Sequence, residues 1–110
     1  MEKIFKAKRL DNGEWFEFEL KDLLGNHNEC LSFIMDKNTI CQYTGIKDSK
    51  RNRIFEGDES TDEKGKKCIV FFNDRTQQTC IKYYDGSEFA ARSYVLEGLT
   101  LTGHNIHDKD

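Results

Sequence analysis

The sequence predicts a mainly β protein: a small barrel-like or sandwich domain of short antiparallel strands, with at most one short helix. Three observations carry this. An Asn-Gly turn near the start lies between two strand-like arms. Apolar runs rich in β-branched and aromatic residues recur through the last third, each bounded by polar turn residues. Little of the remainder carries a helical period.

The elements follow in order. Ile4–Leu10 and Glu14–Leu20 flank Asp11-Asn12-Gly13, and Asn-Gly accepts the positive φ angles of a hairpin turn. In the second arm Phe16, Phe18 and Leu20 alternate with Glu17, Glu19 and Lys21, the period of a half-buried strand. Lys21–Leu24 allows one helical turn. Leu31–Met35 reads as a short strand, Asp36-Lys37-Asn38 as a turn, and Thr39–Tyr43 as extended chain. Polar turn residues dominate from Gly45 to Arg53. Ile54 and Phe55 form an apolar anchor, Gly57-Asp58 a second turn, and Glu59–Lys67 a polar loop or hairpin tip.

Cys68–Phe72 is apolar throughout, as in a strand covered on both faces. Thr79–Tyr84 reads as strand between turns at Asn73–Gln78 and Asp85-Gly86. Phe89–Leu96 is ambiguous, because its alanines favour helix and Tyr94-Val95 favours strand. Gly98 breaks it, Leu99–Thr102 alternates as a last strand, and Gly103–Asp110 reads as a polar tail. Five strands in the C-terminal half would suit an SH3-like barrel.

The chain has 110 residues, which suits one domain spanning 1–110, with sub-regions at 1–45 and 54–106. Hydrophobic residues make up 36% and charged residues 34%, a lean core offset by 12% aromatics. No apolar run approaches the roughly 18 residues of a membrane span, and the first residues lack the apolar stretch of a signal peptide. These features imply a cytoplasmic protein. A net charge of -3 argues against non-specific DNA binding, which needs a basic surface. Cys30, Cys41, Cys68 and Cys80 form no close pair. They read as reduced core residues, without zinc, metal or cofactor.

The central block carries a longer pattern. Thr39-Ile40-Cys41-Gln42-Tyr43-Thr44-Gly45-Ile46-Lys47-Asp48 is followed by Ile54-Phe55-Glu56-Gly57-Asp58. It resembles the YopX family of phage and prophage proteins, which carries Gln-Tyr-Thr-Gly-Leu-x-Asp and then Ile-aromatic-Glu-Gly-Asp. The opening Ile4–Arg9 with Gly13-Glu14-Trp15 and the ending Leu101–Ile106 are also similar to that family. This chain departs at Lys50-Arg51-Asn52, where the family usually has Lys-Asn-Gly. It departs again at Glu59-Ser60, where an apolar residue commonly starts the next strand. The resemblance implies a phage or prophage accessory protein of the bacterial cytoplasm, and supplies no catalytic residues.

For the signature residues Gln42, Tyr43, Thr44, Gly45, Asp48, Phe55, Gly57 and Asp58, a structural reading is favoured: glycines supply unusual φ angles, and Asp and Thr side chains bond nearby backbone. The reading that follows is a non-enzymatic module that binds a protein partner or itself. Its rival is nucleic-acid binding through Lys47, Lys50, Arg51 and Arg53, with Tyr83, Tyr84 and Phe89 as stacking surfaces. A third reading, a hydrolase using Asp48, Glu56 or Asp58, requires those carboxylates to converge. His27, His104 and His107 suggest no site.

Overall fold

A computed structural model describes residues 3–24 and 34–108. The chain forms two compact units, Met1–Tyr43 and Thr44–Asp110.

In the first unit β1 (Ile4–Arg9) and β2 (Trp15–Glu19) form the hairpin expected from Asn12-Gly13, with Phe5 opposite Phe18 and Ala7 opposite Phe16. The Asn12 side chain accepts the Glu14 amide, and Gly13 takes φ 71°. Ala7, Phe18 and Met35 are buried, with Phe5, Phe16 and Ile40 packed against them. The alternation therefore reports a real oily face. On the other face Lys6 and Lys8 lie over the Trp15 ring, at 4.6 and 5.3 Å from its centre. Helix α1 (Leu20–Leu24) follows directly.

Strand β3 (Met35–Lys47) corrects the expected turn at Asp36-Lys37-Asn38. The chain stays in the strand, and its register with β1 shifts between Lys6 and Lys8. Turn chemistry is still present: the Asn38 amide donates to Asp36, and the Thr39 hydroxyl donates to the Asp36 carbonyl while accepting the Lys8 amide. These bonds satisfy groups that a bulge takes out of the ladder. Part of the expected strand at Leu31–Met35, like Cys30 and His27, lies outside the described residues.

The second unit begins with the end of β3 beside β4 (Arg53–Phe55). Strands β5 (Asp58–Thr61), β6 (Lys67–Asn73), β7 (Gln78–Tyr83), β8 (Glu88–Ala90) and β9 (Thr100–Asn105) make one antiparallel sheet in the order β8-β7-β6-β5-β9. The mainly β class holds, but the SH3-like barrel does not: the sheet is open. A second helix, α2 (Ser93–Glu97), exceeds the single helix expected. The ambiguous stretch thus divides, with β8 before Ala91 and helix after Arg92.

Val70 faces Ile81 and Cys68 faces Tyr83 across β6 and β7, so these four share one side of the sheet. Ile54, Cys68, Val70, Ile81, Ala91, Leu96 and Leu99 form its core. Burying one such Ile or Leu side chain is worth about 1.5–3 kcal/mol. Phe72, expected to be covered, is 43% exposed near the end of β6. Two polar stretches also carry strand. β5 starts at Asp58 itself and keeps Ser60 fully buried. β9 runs on through Gly103 to Asn105.

Candidate functional site

Asp48 directly follows β3 and is only 3% exposed. Its Oδ1 accepts the amides of Lys50 (2.9 Å) and Asn52 (2.8 Å), and its Oδ2 accepts the amide of Leu101 in β9 (2.9 Å). The Asp48 amide donates to the Asn52 carbonyl, and Arg51, at φ 70°, donates to the Asp48 carbonyl. Ser49 adds a backbone bond to Leu99 and a hydroxyl contact of 2.8 Å with Thr100. One carboxylate thus shapes the loop and ties it to β9. Lys47, Lys50, Arg51 and Arg53 are left exposed around it.

Burial alone would raise the Asp48 carboxyl, but the amides of Leu101, Asn52 and Lys50 outweigh it and hold the pKa below the ordinary value. A carboxylate depressed in the folded state stabilises above its unfolded pKa, and that stability disappears as pH falls through the folded pKa. Acid unfolding should therefore include an Asp48 step below the usual carboxylate range. Circular dichroism of parent and Asp48→Asn from neutral to acid pH checks this: the variant loses stability at neutral pH, and the gap between the two closes on acidification.

The second half of the signature is a tight corner. Asp58 accepts the Phe55 amide on Oδ2 (2.8 Å) and the Asn105 side-chain amide on Oδ1 (2.9 Å). Asn105 also reaches the Glu56 carbonyl (3.3 Å) and accepts the His107 amide (3.0 Å). Gly57 sits at φ 85° between them; its amide donates to Val70 and its carbonyl accepts Ile106. Thr44 stabilises the positive-φ Gly45 by donating to the Ile54 carbonyl (2.9 Å) and accepting the Ile46 amide.

Thr44, Gly45, Asp48, Phe55, Gly57 and Asp58 lie in the second unit, and Gln42 and Tyr43 end the first, with Gln42 exposed. Asp48 and Asp58 hold backbone and Asn105 rather than facing a shared opening, and among the described residues no group of His, Cys, Asp or Glu is arranged to hold a metal. Asn105 was missed by sequence reasoning. Its only signal was the resemblance of the tail, because it acts on residues far away in the chain. The Cys41, Cys68 and Cys80 side chains are buried, and burial pushes the Cys68 and Cys80 thiols up.

The other notable surface lies along β7, β8 and α2. A cavity of about 380 Å³ is lined by Ile81, Tyr83, Tyr94, Val95 and Leu99, with the turn at Asp62 on its rim. The Tyr83 hydroxyl donates to Asp62 (2.8 Å), which with burial pushes its pKa up to about 12. Lys66 lies 4.7 Å over the same ring, and Phe89 meets it edge-on at 5.9 Å. Tyr83 is therefore no free stacking platform. Exposed aromatics besides Phe72 include Tyr84, whose hydroxyl is bound to Glu59, together with Phe89 and Tyr94. Strand β8 ends the sheet, exposed at all three residues.

Among known proteins, no curated protein matches this chain. A family model described as YopX protein does, over residues 3–108, from the first described residue through the Asn105 corner. The match takes in the Asp48 loop, the Gly57-Asp58 turn and the β9 segment that closes both, and the chain belongs to the YopX family.

Proposed function

We propose that this chain is a phage or prophage accessory protein that acts in the bacterial cytoplasm by binding, without enzymatic chemistry, and that its partner is another protein or a second copy of itself. One observation carries the reading: among the described residues β8 is an open sheet edge with large exposed aromatics at it, Phe89 at 55% and Tyr94 at 71% exposure. Unpaired edges pair with other chains unless they are covered, and exposed aromatics anchor protein contacts. No helix among the described residues is long and apolar enough to cross a membrane. The signature corners fit the reading as scaffolding, since they hold the ends of β5 and β9.

The test is a Phe89→Ser/Tyr94→Ser double variant. It should keep its circular dichroism and lose assembly by light scattering, together with any partner recovered from phage-infected cells. A parent protein that is strictly monomeric and recovers nothing would refute the reading.

A second reading has its own support, because four exposed basic residues lie on and beside the loop that Asp48 shapes. Each phosphate neutralised steepens the salt dependence of single-strand binding by about 0.7 in log–log slope. Lys50→Ala/Arg51→Ala/Arg53→Ala should then weaken binding and flatten that slope. No binding by the parent at low salt removes this reading.

A further inference from the structure

We propose that β8 pairs antiparallel with β8 of a second copy, across a two-fold axis through Phe89. This deepens the binding reading above and rests on it. Hydrogen bonding along β7 and β8 fixes which groups are available. The Ala91 amide donates to Thr79, the Tyr83 amide donates to the Ser87 carbonyl, and Phe89 lies opposite Ile81. Antiparallel ladders alternate, so Ser87, Phe89 and Ala91 direct their backbone groups at β7, and Glu88 and Ala90 direct theirs away from the sheet. Among the described residues, no strand of the same chain lies on that side.

With the axis at Phe89, Glu88 of each copy faces Ala90 of the other. These are the residues whose N–H and C=O groups point outward, so each pair exchanges both bonds. The two Phe89 side chains meet at the intervening non-bonded position, where Cα atoms lie about 4.5 Å apart and side chains are closest. Arg92 is still extended, at φ -74° and ψ 167°. It lies on the same side as Glu88, diagonal to Glu88 of the second copy, and opposite charges there are favourable.

Neighbouring registers are worse. An axis at Glu88 sets two carboxylates face to face. An axis at Ala90 places Phe89 opposite the buried Ala91, and needs the Arg92 carbonyl, which already accepts the Val95 and Leu96 amides. Two copies of this chain are therefore self-complementary in one register. With only three strand residues on each side, the pairing is weak and concentration-dependent.

Engineered cysteines read the register directly. Phe89→Cys places two thiols across the axis, within the Cα range of about 4.4–6.8 Å that a disulfide spans. Glu88→Cys places them on the diagonal, at about 7–8 Å. Under mild oxidation Phe89→Cys should give a covalent dimer on a non-reducing gel, while the parent and Glu88→Cys stay monomeric. Light scattering of the parent should show a dimer that grows with concentration and is abolished by Phe89→Asp, with circular dichroism unchanged.

A monomeric parent, a dimer that survives Phe89→Asp, or cross-linking of Ala90→Cys in place of Phe89→Cys overturns the proposal. The two levels separate cleanly. A monomeric parent whose capture of another protein is lost in the Phe89→Ser/Tyr94→Ser variant defeats self-pairing and leaves the binding reading standing. A monomer that captures nothing defeats both.

Discussion

Asp48→Ala is expected to destabilise the second unit by roughly 3–5 kcal/mol, because it removes the acceptor of three amides in a buried site. Each amide left unpaired away from water costs about 1–3 kcal/mol. Water can rescue the exposed Lys50 side more easily than Leu101. For a unit of this size the loss lowers the thermal midpoint by on the order of 15 °C or more. Hydrogen exchange gives a local readout: the amides of Lys50, Asn52 and Leu101 should lose protection before the centre of β6 and β7. Asp48→Asn should fall between. Its one oxygen can keep Lys50 and Asn52, but its NH₂ then faces the Leu101 amide, donor to donor. A useful contrast is Asp85→Ala. Asp85 also accepts an amide and two side-chain bonds, but it is exposed, so water replaces it and the loss should be far smaller than at Asp48. If Asp48→Ala unfolded at the parent's temperature, the loop would be held by something other than this carboxylate.

Gly57→Ala should be the most damaging glycine substitution, at about 2–4 kcal/mol. Part of that is backbone: a φ of 85° strains any residue with a Cβ. The rest is contact. A Cβ at Gly57 would lie 3.0 Å from Cγ1 of Ile106 and 3.1–3.2 Å from the amide atoms of Asn105. Ile106 is exposed and can move. Asn105 is buried and bound to Asp58, so it cannot move without releasing the corner. Gly45→Ala separates the two effects, since φ there is 88° but nothing lies within 4 Å. It should cost only the backbone part, about 1–2 kcal/mol. Chemical denaturation of the two variants side by side measures the difference. Equal losses would mean that Asn105 is not tightly held.

What could be read in advance followed the range of the forces involved. The first hairpin was legible because Asn12-Gly13 and the Phe16/Phe18 alternation are local. The split of Phe89–Leu96 was not, because the same residues suit strand and helix, and β7 decides the matter by pairing with Glu88–Ala90. Asp36–Asn38 carried real turn chemistry, but the ladder with β1 kept it as a bulge. At β5, charge suggested a loop; pairing with β6 on one side and β9 on the other made it strand. The structural reading of Asp48 and Gly57-Asp58 came from residue type alone. Their partners Leu101 and Asn105 lie 53 and 47 positions away, beyond any local pattern.

That long reach gives the signature a schedule. As the chain leaves the ribosome, the loop at Asp48 and the corner at Asp58 emerge early, yet neither can complete its bonds until β9 has followed. Until then β5 has a neighbour on one side only, and two carboxylates wait in water for amides not yet made. On the ribosome the basic loop therefore cannot complete its bonds before β9 is made, so a partner that reads the finished loop would distinguish a complete chain from a nascent one.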